Sequence, residues 1–303
     1  TAIQQVKNPL TGMTHKSGFV NILGNPNVGK STLMNELVGE RISIITSKAQ
    51  TTRHRILGVV NGEDFQMVFS DTPGIVKPVY KLHDSMMRSV RTAFTDADVI
   101  LYVTDALEKI DKESPFIRKI IKTRIPVVIA INKIDLSNQA AIKLLMEEWK
   151  ETVPDAVIIL ISALHKHNLT FLFETLLEKL PEGPVYYPED LLTDRPERFF
   201  VTEIIREKIL LNYKKEIPYS CEVVIDSFKE AEDMVRINAV IHIIRESQKG
   251  IIIGHKGGML KKVGTQARMD IEKFLGKKAY LGLQVKVSAD WRNNEKSLKR
   301  FGY

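Results

Sequence analysis

The chain has 303 residues, of which 44% are apolar and 27% charged, with a formal net charge of +7. That is enough apolar sequence for two hydrophobic cores, and it excludes a disordered or collagen-like chain. No apolar run approaches the ~20 residues of a membrane-spanning helix, residues Thr1 to Lys16 lack the apolar centre of a signal peptide, and the one cysteine, Cys221, reads as core, so a cytoplasmic protein is expected.

Phe19 to Leu23 reads as a buried strand, and Thr32 to Val38 as a helix with Gly39 at its end. Between them, Gly24-Asn25-Pro26-Asn27-Val28-Gly29-Lys30-Ser31 fits the pattern Gly-x4-Gly-Lys-Ser. In such a loop backbone N–H groups converge on phosphate oxygens, the lysine reaches the β- and γ-phosphates, and the serine hydroxyl holds Mg²⁺. Arg41 to Arg55 is polar and reads as an exposed loop. Ile56 to Val60 and Phe65 to Phe69 flank Asn61-Gly62-Glu63-Asp64, which predicts a hairpin with Asn-Gly supplying positive φ. Asp71-Thr72-Pro73-Gly74 follows directly. Val99 to Val103 is the next strand, Ser114-Pro115 opens a helix, and Pro126 to Ile131 is a strand ending in Asn132-Lys133-Ile134-Asp135. Val157 to Ile161 ends in Ser162-Ala163, and a helix over 169–180 stops at Pro181.

Alternating strands and helices predict an α/β domain with a mixed, mostly parallel, doubly wound sheet and one antiparallel edge. The polar tetrads all fall at carboxyl ends of strands, where such sheets bind ligands. The expected boundaries are a tail over 1–15, a nucleotide-binding domain over 16–181, a Pro- and acid-rich linker over 182–197, and a second domain over 198–303. The basic excess belongs to that last part, which carries 21 Lys and Arg against 13 Asp and Glu, while residues 1–197 carry 23 against 24. A one-sided excess suggests a polyanionic partner.

The second domain reads as a helix over 199–212, strands over 219–225 and 235–244, a glycine loop, a basic helix over 259–275 and a strand over 281–287, an α+β arrangement. The run Ile251-Ile252-Ile253 leads into Gly254-His255-Lys256-Gly257, a Gly-x-x-Gly loop of the kind that clamps single-stranded nucleic acid. The helix behind it carries Lys261, Lys262 and Arg268. Val235, Ile237, Ala239 and Ile241 read as core rather than as an RNA-facing surface.

Asp71 can hold Mg²⁺, and the Gly74 N–H can meet a γ-phosphate. Asp135 selects the base: one carboxylate accepts from both the N1–H and the exocyclic amine of guanine, a donor pair that adenine lacks. Asn132 can bond the base edge and tie neighbouring loops, the Lys133 stem can lie along the purine, and the Ala163 N–H can meet guanine O6.

These motifs together resemble the translation-factor-like class of P-loop GTPases, and within it the Era-like family, over nearly the whole chain. The resemblance rests on Gly24 to Ser31, on Lys48-Ala49-Gln50-Thr51-Thr52-Arg53-His54-Arg55, on Asp71-Thr72-Pro73-Gly74-Ile75, on Asn132 to Asp135, on Ser162-Ala163 and on the Gly254 to Gly257 loop, which would lie within a type II KH domain over 198–303. It implies slow hydrolysis of GTP to GDP with Mg²⁺ held by Ser31, Thr52 and Asp71, with Lys30, Thr52, Gly74 and Asn27 as catalytic residues. Thr51 is the alternative to Thr52. Ile75 stands where Ras-like GTPases place the water-orienting Gln. Relatives with an apolar residue there use K⁺ held by an Asn at the position of Asn27; the other reading of Asn27 is a turn residue. The resemblance further implies the 3′ end of 16S ribosomal RNA and the 30S subunit as partners of a monomer assisting subunit assembly. The Lys and Arg cluster in 292–300 also suits peripheral contact with an anionic inner membrane. The competing readings are a GTPase directed at the large subunit or at tRNA, and an RNA chaperone whose nucleotide is structural.

Overall fold

The computed structural model describes residues 15–303, so the expected tail over 1–15 lies almost wholly outside the described residues. The apolar runs of the first part form six strands, β1 (Lys16–Leu23), β2 (Ile56–Gly62), β3 (Phe65–Asp71), β4 (Val99–Asp105), β5 (Val127–Asn132) and β6 (Val157–Leu160). They lie in the order β2-β3-β1-β4-β5-β6, parallel throughout except that β2 runs antiparallel to β3. Every residue of β3 and β5 is buried, as expected for strands covered on both faces.

The helices are α1 (Lys30–Val38), α2 (Lys81–Thr95), α3 (Pro115–Lys122), α4 (Gln139–Thr152) and α5 (Leu169–Lys179). α1 stops where Gly39 turns left-handed (φ 83°) and donates its N–H to Asn35 O. α2 and α4 were not anticipated. α2 buries Leu82, Met86, Met87, Val90 and Ala93, and the polar His83 and Ser85 are buried with them, which blurs the apolar pattern. In α4 only Trp149 is buried, so periodicity had almost nothing to detect; its start is marked instead by Asn138, which accepts from the Ala141 N–H.

The β2–β3 hairpin forms, but not through Asn-Gly. Asn61 and Gly62 stay in β2, Gly62 pairs with Phe65, and Glu63-Asp64 make the turn. Neither Asn61 nor Gly62 has positive φ. Glycine is required at 62 for space: a Cβ there would sit 2.1 Å from the Phe65 ring. Residues beyond α5 hydrogen-bond back to the sheet, with Val59 N–H donating to Leu192 O (2.8 Å) and Tyr186 and Tyr187 N–H donating to Gln66 Oε1 (2.8 and 2.9 Å). The Val59 bond occupies part of the free edge at β2, while the other two reach a side chain of β3.

The chain divides into two compact units. The first comprises residues through 43, 52–76 and 87–194, and the second comprises 44–51, 77–86 and 195–303. In the second unit α6 (Glu197–Asn212), α7 (Ile217–Ser220), β7 (Glu222–Glu230), β8 (Met234–Ile243), α8 (Glu246–Ile253), α9 (Gly258–Leu275), β9 (Lys278–Val287) and α10 (Glu295–Arg300) follow in order. β8 is central, antiparallel to β7 and parallel to β9. Val235, Ile237, Ala239, Ile241 and Ile243 alternate into its core, as read from sequence, and Cys221 is fully buried there. One local expectation changes, and one run without an assigned element gains one. Tyr219 and Ser220 belong to α7 and not to a strand, and Ile251 to Ile253 are the last turn of a helix. The start of α8 explains the second: Gln248 Oε1 accepts from the Ile244 and Arg245 N–H groups, satisfying donors at a helix N-terminus despite the β-branched run that follows.

Candidate nucleotide site and nucleic-acid interface

The loop between β1 and α1 needs its two glycines. A Cβ on Gly24 (φ 148°) would lie 2.1 Å from Val103 O, and one on Gly29 (φ 96°) would lie 2.3 Å from Asn132 Nδ2. Asn27 is left-handed as well (φ 66°) and exposed. That conformation suits its reading as a turn residue. Lys30 is buried, and its ammonium donates to Gly24 O (3.0 Å) and Asn25 O (2.7 Å). Burial lowers its pKa to about 8, opposed by Asp71 and Glu108.

Three oxygen-bearing side chains meet beside it. Ser31 Oγ donates to Asp71 Oδ2 (2.7 Å), Thr52 Oγ1 lies 2.8 Å from Ser31 Oγ, and Thr52 Oγ1 is 3.3 Å from Asp71 Oδ2. Asp71 Oδ1 and the Ser43 hydroxyl are both buried and neither has a well-formed hydrogen bond, although Ser43 is close enough to favour the ionised carboxylate. Burial pushes the Asp71 carboxyl up, while Ser31 and Lys30 pull the other way. An all-oxygen set with a spare buried carboxylate oxygen suits a hard cation such as Mg²⁺. Thr51 faces elsewhere: its hydroxyl donates to Lys48 O (2.6 Å) and lies 2.7 Å from Thr46 Oγ1.

The Asp71-to-Gly74 segment is pressed against the phosphate loop. Thr72 Oγ1 donates to Ile22 O (2.7 Å), Ile75 N–H donates to Gly24 O (3.1 Å), and a Cβ on Gly74 would come within 2.8 Å of the Pro26 backbone. Pro73 is buried and Ile75 half-buried.

At the other end of the groove, Asn132 acts as a tie. Its Nδ2 donates to Val28 O (2.8 Å), and its Oδ1 accepts from the Ala163 N–H (2.9 Å). The Ala163 N–H expected at guanine O6 is therefore engaged with Asn132. Lys133, left-handed at φ 58°, donates to Asn27 O (2.6 Å) and pairs with Asp105 (2.8 Å), so its stem spans the gap between loop and strand. Ile134 and Asp135 form a single 3-10 turn. Asp135 Oδ1 accepts from Ser162 Oγ (2.6 Å), which holds its carboxyl below the usual range, and its side chain is 26% exposed. An ionised, accessible double acceptor at that place fits the edge of guanine.

In the second unit Gly254 (φ 71°), Lys256 (φ 47°) and Gly257 (φ 77°) turn the chain sharply from α8 into α9. His255 is exposed on that turn. Beside it lies a cavity of about 370 Å³ with Gly257, Lys261, Gly264 and Arg268 on the α9 wall and Leu281 and Leu283 on the β9 wall. Gly264 sets its width, since a Cβ there would approach Leu283 to 3.3 Å. Lys262 is exposed on α9 outside this cavity. A cavity with apolar and cationic walls has the chemistry to take an unstacked nucleotide strand.

A 50S ribosome-binding GTPase family model matches residues 19–133, and a KH-domain model matches residues 216–292. The GTPase Era of Syntrophus aciditrophicus (strain SB) is 46% identical over 291 residues, 95% of each chain. This chain belongs to the Era GTPase family. The chloroplastic GTPase ERA1 of Zea mays is 44% identical over 95% of this chain and 71% of its own. A crystal structure of Era in complex with MgGDPNP and nucleotides 1506–1542 of 16S ribosomal RNA matches with a TM-score of 0.89 at 41% identity, covering 95% of this chain and 99% of that one. An Era variant from Aquifex aeolicus bound to GDP and AlF4⁻ matches equally well. The fold class expected from sequence, a P-loop GTPase domain followed by a KH domain, is the fold of this family.

Sequence reading missed three members of the Era-type site. Asp105 fixes Lys133; Glu108 accepts from the Asn25 side chain and from Thr104 Oγ1 (2.9 Å); His165 Nε2 lies 3.8 Å from Asp135 Oδ2. The Thr104-Asp105 end of β4 was the one available signal, because ligands gather at strand carboxyl ends.

Proposed function

We propose that the protein is a GTP-hydrolysing switch that binds the 3′ end of 16S ribosomal RNA and assists assembly of the 30S subunit. The observation that carries this reading is the pairing, in one chain, of a phosphate loop whose Ser31 meets Asp71 and a Ser162-held Asp135 carboxylate with a basic Gly-x-x-Gly groove. The RNA partner is supported by the Era relative solved with that segment of 16S RNA. In this reading Lys30 and the loop N–H groups hold the β- and γ-phosphates, and Asp135 with Asn132 to Ile134, Ser162 and Ala163 frames the base. Ser31, Thr52 and Asp71 hold Mg²⁺, which when bound supplies charge neutralisation at the phosphates. The Gly74 N–H meets the γ-phosphate, and Ile75 leaves the attacking water without a side-chain acceptor, so turnover is slow. Asn27 holds a K⁺ ion that offsets charge developing there. The KH groove binds RNA through Gly254 to Gly257, Lys261, Lys262 and Arg268. Among the described residues no helix is long and apolar enough to cross a membrane. The proposed location is the cytoplasm, with peripheral inner-membrane contact through the 292–300 cluster.

The test is turnover of GTP and ATP in K⁺ and in Na⁺, with and without an oligonucleotide of the 16S 3′ end. Hydrolysis of GTP only, faster in K⁺ and with RNA, is expected. Equal rates in the two salts remove Asn27 from the mechanism, and equal use of ATP contradicts the guanine assignment.

A further inference from the structure

Residues 44–51 run directly into Thr52, and they belong to the compact unit that contains α6 and the Gly-x-x-Gly loop. Within that unit they are gripped at several points. The Lys48 ammonium donates to Leu210 O and Tyr213 O, carbonyls that the end of α6 leaves open. Tyr80 Oη donates to Gln50 Oε1 (3.1 Å). Arg206, in the middle of α6 and only 1% exposed, donates to Gln50 O (3.5 Å) and Thr51 O.

Arg206 is the unusual member. Its guanidinium is buried against Glu203, with Nε donating to Glu203 Oε1 (2.8 Å) and Nη2 to Glu203 Oε2. A buried ion pair is costly unless its remaining donors are satisfied. Here the donors facing away from Glu203 are met by the two carbonyls just before Thr52. The fork is rigid and planar, so it fixes the direction of those carbonyls as well as their distance. The Thr51–Thr52 peptide is planar too, so fixing Thr51 C=O also fixes the Thr52 N–H and the place of its Cα, from which Oγ1 is carried.

We infer that Arg206, oriented by Glu203, is a positioning residue that sets the Thr52 hydroxyl through the Thr51 carbonyl. It touches neither phosphate nor metal. This inference rests on the proposed role of Thr52 at the γ-phosphate and Mg²⁺. Its distinguishing consequence is nucleotide-selective: GDP has no γ-phosphate, so loosening Thr52 weakens binding of a triphosphate and spares the diphosphate.

The test uses the full chain and the affinities of GDPNP and GDP in Mg²⁺. Arg206→Met is expected to weaken GDPNP about tenfold, within the usual range of coupling between sites, and to leave GDP unchanged. Arg206→Lys, which keeps charge but not the fork, falls between. Combining Arg206→Met with Thr52→Ala adds nothing to Thr52→Ala alone, because both act through one hydroxyl. Lys48→Met loosens the same segment without disturbing the buried Arg206–Glu203 pair, and it gives a smaller loss of the same selectivity if Arg206→Met does not fold. Equal losses for both nucleotides, no loss in a folded variant, or full additivity with Thr52→Ala overturns the inference and leaves the function standing. Thr52→Ala binding GDPNP and GDP as tightly as the unsubstituted chain overturns the role of Thr52 and the inference with it.

Discussion

Asp135 shows how one carboxylate can set the base. Ser162 favours its ionised form by donating to Oδ1, and each oxygen keeps a further lone pair with which to meet a donor on guanine. Asp135→Asn replaces one acceptor with a donor. The expected cost is one charged hydrogen bond, about 1.5–3 kcal/mol, or about a ten- to hundredfold loss of GTP affinity. Xanthosine triphosphate, which carries a carbonyl in place of the amine, gains affinity in the same variant. Competition binding with the two triphosphates checks this, and unchanged GTP affinity removes Asp135 from the base site. At this scale the motif residues were legible because their spacing is tied to one chemistry. Asp105, Glu108 and His165 were not, because they become neighbours of the site only when β4 and β6 are laid in register. Asn61-Gly62 misled for the opposite reason: its glycine answers to the Phe65 ring, a contact that turn preferences do not encode.

At the scale of elements, strands announced themselves by apolar runs or alternation, and α1, α5 and α9 by spacing and by glycine or proline at an end. α4 was hidden because it buries one tryptophan, and α8 because three isoleucines end a helix whose start is fixed by side-chain capping from Gln248. β8 carries a further consequence. His242 is 2% exposed and lies 2.8 Å from Ser288 Oγ. Burial, with Arg300 and Lys286 nearby, lowers its pKa from 6.5 to about 4. The unfolded chain therefore binds the proton at a higher pH than the folded one. Stability should fall as pH drops from about 6.5 towards 4, through this group alone. Thermal melts across that window should show a shallower pH slope for His242→Gln than for the unsubstituted protein. Identical slopes would mean that His242 titrates alike in both states.

At the scale of the whole molecule, the sequence separated a neutral nucleotide half from a basic one, and that asymmetry pointed to RNA before any fold was known. Periodicity could not reveal that 44–51 and 77–86 pack in the same compact unit as 195–303. That grouping is made by single polar contacts such as Arg206 with Thr51 and Leu82 N–H with Arg292 O (2.9 Å), between residues more than 150 positions apart. The central claim is that a guanine nucleotide site and an RNA groove serve one switch. Its most direct test is the affinity of the full chain for a 16S 3′-end oligonucleotide, measured with GDPNP and with GDP at fixed salt, beside Gly257→Asp. A Cβ at Gly257 meets nothing within 4 Å, so the added carboxylate acts through charge and backbone strain at φ 77° rather than by collision. The account predicts tighter RNA binding with GDPNP than with GDP, and weak binding by Gly257→Asp with GTP affinity intact. RNA affinity that is identical with GDPNP, with GDP and without nucleotide would contradict it.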